Sequence, residues 1–87
     1  MSAGNVRQLV HRTAIIEGHV RAVKRLFEEG RPTLEILTQL SAVRSSLNRL
    51  QHVLFEEHVE TLLLDLETPE QRSAAVADIR AAMETLA

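Results

Sequence analysis

The chain has 87 residues, 45% of them hydrophobic but only 2% aromatic, with 12 Asp/Glu against 10 Lys/Arg and no cysteine. That length makes one domain, residues 1–87, burying about 60% of its unfolded surface in a small core of Leu, Ile, Val and Ala. Lack of cysteine excludes a disulfide framework, a thiolate zinc site, an iron–sulfur cluster and a thiol redox switch; no apolar run nears the roughly 20 residues of a membrane span, and MSAGNVRQLVHR lacks a signal peptide's apolar centre, so a soluble, cytoplasmic protein with no membrane partner is expected.

The first predicted helix covers about 5–29. Val6, Leu9, Val10, Thr13, Ile16, Val20, Val23 and Phe27 recur at the spacing that lines one helix face. Gly30 suits the left-handed position after a helix end, and Pro32 the first turn of the next helix, where its missing N–H costs nothing. The second helix, about 32–65, carries Ile36, Leu40, Val43, Leu47, Leu50 and Leu54 in alternating steps of four and three, a seam that needs a partner helix along its whole length. TPEQ then spells a capping box, with Thr68 as N-cap, Pro69 at the first helical position and Gln71 at the third. Val76, Ile79, Met83 and Leu86 give the third helix, about 69–85, one apolar face.

A helix of that central length is roughly 50 Å long, whereas a compact globule of this size is about 30 Å across. Its own chain cannot cover it. An all-α protomer is expected, with helices one and two as an antiparallel hairpin, in an obligate homodimer of hairpins or a higher assembly of such dimers.

Charge is unevenly spread. Residues 1–50 carry eight Lys/Arg against four Glu, net +4, and residues 51–87 two Arg against eight Asp/Glu, net −6. Such a split marks either a surface that meets a polyanion or a solvated helix face with mixed ion pairs.

Catalysis finds no support. Ser41, Ser45 and Ser46 have no His/Asp constellation at local spacing, and the three glycines are isolated, so no phosphate-cradling loop is encoded. His11 and His19 lie eight residues apart and His52 and His58 six, neither being the i, i+3 or i, i+4 spacing that lets one helix supply two metal ligands. His11, His19 and His52 read as partly exposed surface histidines.

The segment from Ile15 to Leu63 resembles the core of the CsoR/RcnR/FrmR family of small helical metal- and stress-sensing bacterial repressors. EGHVRAV in helix one, LTQLSAVRSSLNR in helix two and EHVET near its end carry the likeness, which spans roughly residues 6–64 without gaps. The resemblance implies a three-helix protomer, an antiparallel dimer and a dimer of dimers. It implies a DNA-binding repressor that grips double-stranded operator DNA through basic surface on helices one and two rather than through a helix-turn-helix. Arg12 and Arg49 match family arginines used for DNA, with Arg21, Lys24 and Arg44 as supporting positions; the competing reading makes them surface ion-pair residues. Gly18, which costs about 1 kcal/mol inside a helix, matches a family glycine and implies a close helix contact.

The sensor departs from the family. Copper-sensing members hold the metal by a Cys early in helix two of one protomer and a His and a Cys late in helix two of the other; here those positions read Thr33, His58 and Leu62. A Tyr beside the first Cys becomes Pro32, while Asp78 falls near the acid that helix three supplies, where it can pair with His58. The resemblance implies Cu(I) or a divalent metal as effector, yet one imidazole cannot hold such an ion against cellular competition. Three readings follow: a repressor with a cysteine-free sensor; a helical oligomerisation or partner-binding module without DNA regulation; or a sensor with an unusual His/carboxylate metal set. His58 is then either a ligand or an inherited inter-helix hydrogen bond.

Overall fold

The computed structural model describes residues 3–64 and 66–86. Its elements are α1 (Ala3–Glu28), α2 (Thr33–Leu63) and α3 (Pro69–Glu84). The all-α class is as expected, with boundaries within two residues of the sequence reading; the end of helix two expected at residue 65 lies outside the described residues. The chain divides into two compact units, Ser2–Leu50 and Gln51–Ala87.

In the first unit, Gly30 ends α1 at φ +64°. The Arg31 N–H donates to the Leu26 carbonyl at 3.0 Å and the Gly30 N–H to the Phe27 carbonyl at 3.1 Å, the paired bonds of a Schellman ending, which needs a residue tolerant of positive φ. Pro32 stands one position earlier than expected. Its carbonyl accepts from the Glu35 and Ile36 N–H groups at 3.0 and 3.2 Å, so it occupies the N-cap rather than the first turn. A proline ring has no capping oxygen; instead Arg31 reaches across the turn to Glu35 through two 3.2 Å hydrogen bonds.

The hairpin core is Ile16, Val23, Ile36 and Val43, with Leu26 and Leu50 packed against it. This splits the expected seam of α2. Ile36, Val43 and Leu50, seven residues apart, turn toward α1, whereas Leu40, Leu47 and Leu54, also seven apart, are 42%, 50% and 42% exposed. The face expected on α1 splits likewise: Ile16 and Val23 are buried, while Val6, Val10, Val20 and Phe27 are exposed. Seven residues make almost two turns, so each set forms its own stripe, and only one stripe per helix meets the other.

The close contact expected at Gly18 is absent within the chain, where a Cβ would meet no neighbouring helix within 4 Å. Gly18→Ala is therefore expected to raise the protein's stability by about 1 kcal/mol in thermal unfolding. A fall would place another copy against the glycine.

In the second unit, Thr68 Oγ1 accepts from the Gln71 N–H at 3.1 Å, and Gln71 Oε1 accepts in return from the Thr68 N–H at 3.0 Å. The box spelled by TPEQ is thus formed, with Pro69 opening α3. Ala75 is the buried residue of α3. Two side-chain bonds join α3 to the end of α2. Gln51 Nε2 donates to the Thr85 carbonyl at 2.7 Å, and His58 Nε2 meets Asp78 Oδ1 at 2.8 Å. Seven residues forward on α2 match seven backward on α3, so these segments run antiparallel and in step. Among the described residues no helix is long and apolar enough to cross a membrane.

Candidate functional site

Arg12 and Arg49 meet at one place. Arg12 lies one turn before buried Ile16, and Arg49 directly precedes Leu50, so the packing of those aliphatic residues brings both arginines to the same end of the hairpin. With Ser45 and Ser46 they line a cavity of about 310 Å³ whose apolar wall is Ile15, Ile16 and Leu50. Among the described residues neither Arg12 nor Arg49 has a carboxylate within ion-pair distance. A second cavity, of about 720 Å³, shares Arg12 and Ile15 and continues along α1 past His11, Gln8 and Arg7 to Gly4. Neither lining contains an acidic side chain, so positive potential is not locally offset.

The supporting positions differ. Arg21 faces Glu17 at 3.7 Å, both side chains about 70% exposed (68% and 70%), and this i, i+4 pair reduces its field. Lys24 and Arg44 are exposed and make no ion pair among the described residues.

The four sensor positions are distributed unequally. His58 and Asp78 form the 2.8 Å pair in the second unit, with side chains 40% and 48% exposed. Leu62 is one turn beyond His58 and half-buried, while Thr33 opens α2 in the first unit and is exposed. Imidazole Nε2 is committed to the carboxylate, leaving Nδ1 as the ring's one free donor atom for a metal. Leu62 offers none. Among the described residues no group of three or more His, Asp or Glu is placed to hold a metal ion. With no thiolate in the sequence, the residues present do not fit the Cu(I) or divalent-metal site of thiolate type that the fold family implies.

Two features escaped sequence reasoning. His19 is partly exposed as expected, but its Nε2 lies 2.8 Å from Gln39 Oε1, a half-buried bond joining α1 to α2 that the spacing did not reveal. Ser45 and Ser46 matter as lining of the arginine cavity, not as failed nucleophiles. Both follow once the hairpin is aligned, because pairing residue 19 with 39 brings Arg12 opposite Ser46; the turn length alone carries that signal.

The fold is that of a small three-helix protein whose long second helix is tied to the short third by the His58–Asp78 pair. The chain matches the metal-sensitive transcriptional repressor family over residues 5–87, and it belongs to that family. It is 33% identical over 55 residues to the copper-sensing transcriptional repressor CsoR of Mycobacterium tuberculosis, a match covering 63% of this chain and 46% of the relative. To CsoR of Mycobacterium ulcerans it is 34% identical over 74 residues, covering 85% of this chain and 56% of the relative. The chain thus spans about half the length of these curated relatives. Among solved structures, the nickel-responsive transcriptional regulator InrS superposes with a TM-score of 0.87 at 29% identity, covering 100% of this chain and 94% of that one. A variant of the formaldehyde-responsive regulator FrmR from Salmonella enterica serovar Typhimurium does so at 0.85 and 33% identity, covering 99% and 98%.

Proposed function

We infer that this chain is a DNA-binding transcriptional repressor, not an enzyme, that acts in the cytoplasm as a homo-oligomer and lacks the thiolate sensor. The observation that carries the reading is the pair of uncompensated guanidinium groups, Arg12 and Arg49, set together at one end of the hairpin. Guanidinium donors in a fixed fork suit phosphate oxygens, and backbone phosphate contacts supply most of the affinity of such a surface. Family membership and two regulator-like superpositions add to it.

Assembly rests on the uncovered stripe. Leu40 and Leu54 stand seven residues on either side of Leu47, so the stripe reads the same in both directions. A two-fold axis through Leu47 sets Leu40 of one copy against Leu54 of the next in an antiparallel pair. Two protomers would then present two arginine pairs to one duplex.

The test is a titration of the full chain against a duplex from its own upstream region at rising salt. Four guanidinium contacts from two copies give a log–log slope near −3.6, from about −0.9 per phosphate. Absence of binding at low ionic strength would reject the reading.

A further inference from the structure

The cavity between Arg12 and Arg49 combines two chemistries. Two guanidinium groups and the hydroxyls of Ser45 and Ser46 supply hydrogen bonds for an anion, while Ile15, Ile16 and Leu50 supply apolar wall within the same 310 Å³. A backbone phosphate uses only the first of these. The wall is matched by a ligand whose charge and apolar body occur in one small molecule, since pockets for small organic ligands are mostly apolar with a few convergent polar groups. Ile16 is buried and Leu50 half-buried in the hairpin core, while Ile15 is exposed, so the inner part of the wall is held by packing and is present before a ligand arrives. Ser46 is itself half-buried and lines the cavity.

The geometry points to a binding site for a small amphipathic organic anion, a carboxylate or phosphate monoester with an apolar body, at Arg12, Arg49, Ser45 and Ser46. The site rests on the DNA reading in one respect: such an anion takes the same two guanidinium groups as the duplex and releases it by direct competition. No relay from a distant sensor is required. Regulation then survives in a chain whose His58 position lacks thiolate partners. Specificity follows from the two parts of the site. An anion without an apolar body gains nothing from the wall, and an apolar molecule without charge leaves both guanidinium groups bare.

The test uses the full chain with octanoate as probe, inorganic phosphate as the charge-only control and 1-octanol as the apolar-only control. Calorimetry without DNA is expected to show octanoate binding at least about tenfold more tightly than either control, because both halves of the site contribute. Arg49→Ala, which removes charge, and Ser46→Leu, which fills the cavity and leaves the charge in place, should each weaken octanoate at least about tenfold at unchanged helicity. Octanoate should also displace a bound duplex over the concentration range in which it binds. Equal affinity for 1-octanol would overturn the site in favour of an apolar face awaiting another copy, and equal affinity for phosphate would reduce it to a phosphate clamp. Octanoate binding without displacement would overturn the competition. Should the duplex fail to bind while octanoate binds and both variants lose it, the DNA reading falls and the anion site stands.

Discussion

Replacing Leu47 by glutamate is expected to dissolve the assembly and most of the helical structure with it. Leu47 is 50% exposed in the single chain, and it sits at the centre of the stripe on which the proposed two-fold contact is built. Across a two-fold axis each copy forfeits the burial of one leucine, worth about 1.5–3 kcal/mol, and two carboxylates face each other in an apolar seam with no partner. The sum corresponds to a rise of about 1,000-fold or more in the dissociation constant. Because the first unit buries just four side chains among its described residues, Ile16, Val23, Ile36 and Val43, separated protomers are not expected to stay folded. Sedimentation equilibrium with far-ultraviolet circular dichroism reads both effects. Leu47→Met, which keeps volume and apolarity, should cost less than about 1.5 kcal/mol. An unaltered oligomer in Leu47→Glu would remove this stripe from the interface.

The second large effect concerns DNA. Arg12→Ala combined with Arg49→Ala should weaken duplex binding by about 100-fold or more at low salt, since each charge-assisted hydrogen bond is worth about 1.5–3 kcal/mol. The slope of log affinity against log salt should flatten by about 0.9 for each phosphate that is no longer neutralised. Both side chains are exposed, so oligomer and helicity should be retained. Arg21→Ala provides the contrast: its guanidinium already faces Glu17 at 3.7 Å, and its removal should change affinity by no more than about threefold. Equal effects from Arg21 and from the Arg12–Arg49 pair would mean that binding follows net charge rather than the cavity.

What the sequence disclosed and what it withheld have one physical cause. Local devices were readable because their chemistry is local: Gly30 at the left-handed turn, the Thr68–Gln71 box, the heptad spacing of α2. Stripe assignment was not. Periodicity places Phe27 and Val20 on an apolar stripe, but it does not say whether that stripe meets the same chain or another, and here both side chains are exposed. Pro32 was misplaced by one residue because its missing N–H is as harmless at the N-cap as in the first turn, where no intrahelical bond uses it. Gly18 was read as a close contact on resemblance, and the hairpin leaves room there. His58 and Asp78 were paired from resemblance, because they lie on different helices, and they stand 2.8 Å apart.

The bond between His19 and Gln39 has a consequence for the arginines. Aliphatic stripes are forgiving, because sliding one helix past the other by a turn, about 5.4 Å, replaces one branched side chain by another of similar size. A hydrogen bond between two half-buried polar groups is less so, since the slipped arrangement gives up a bond worth about 0.5–1.5 kcal/mol. The hairpin is therefore biased toward one alignment by a polar contact seven residues from Arg12 and ten from Arg49. The gap between the two positive charges is set by a histidine–glutamine pair that touches neither of them.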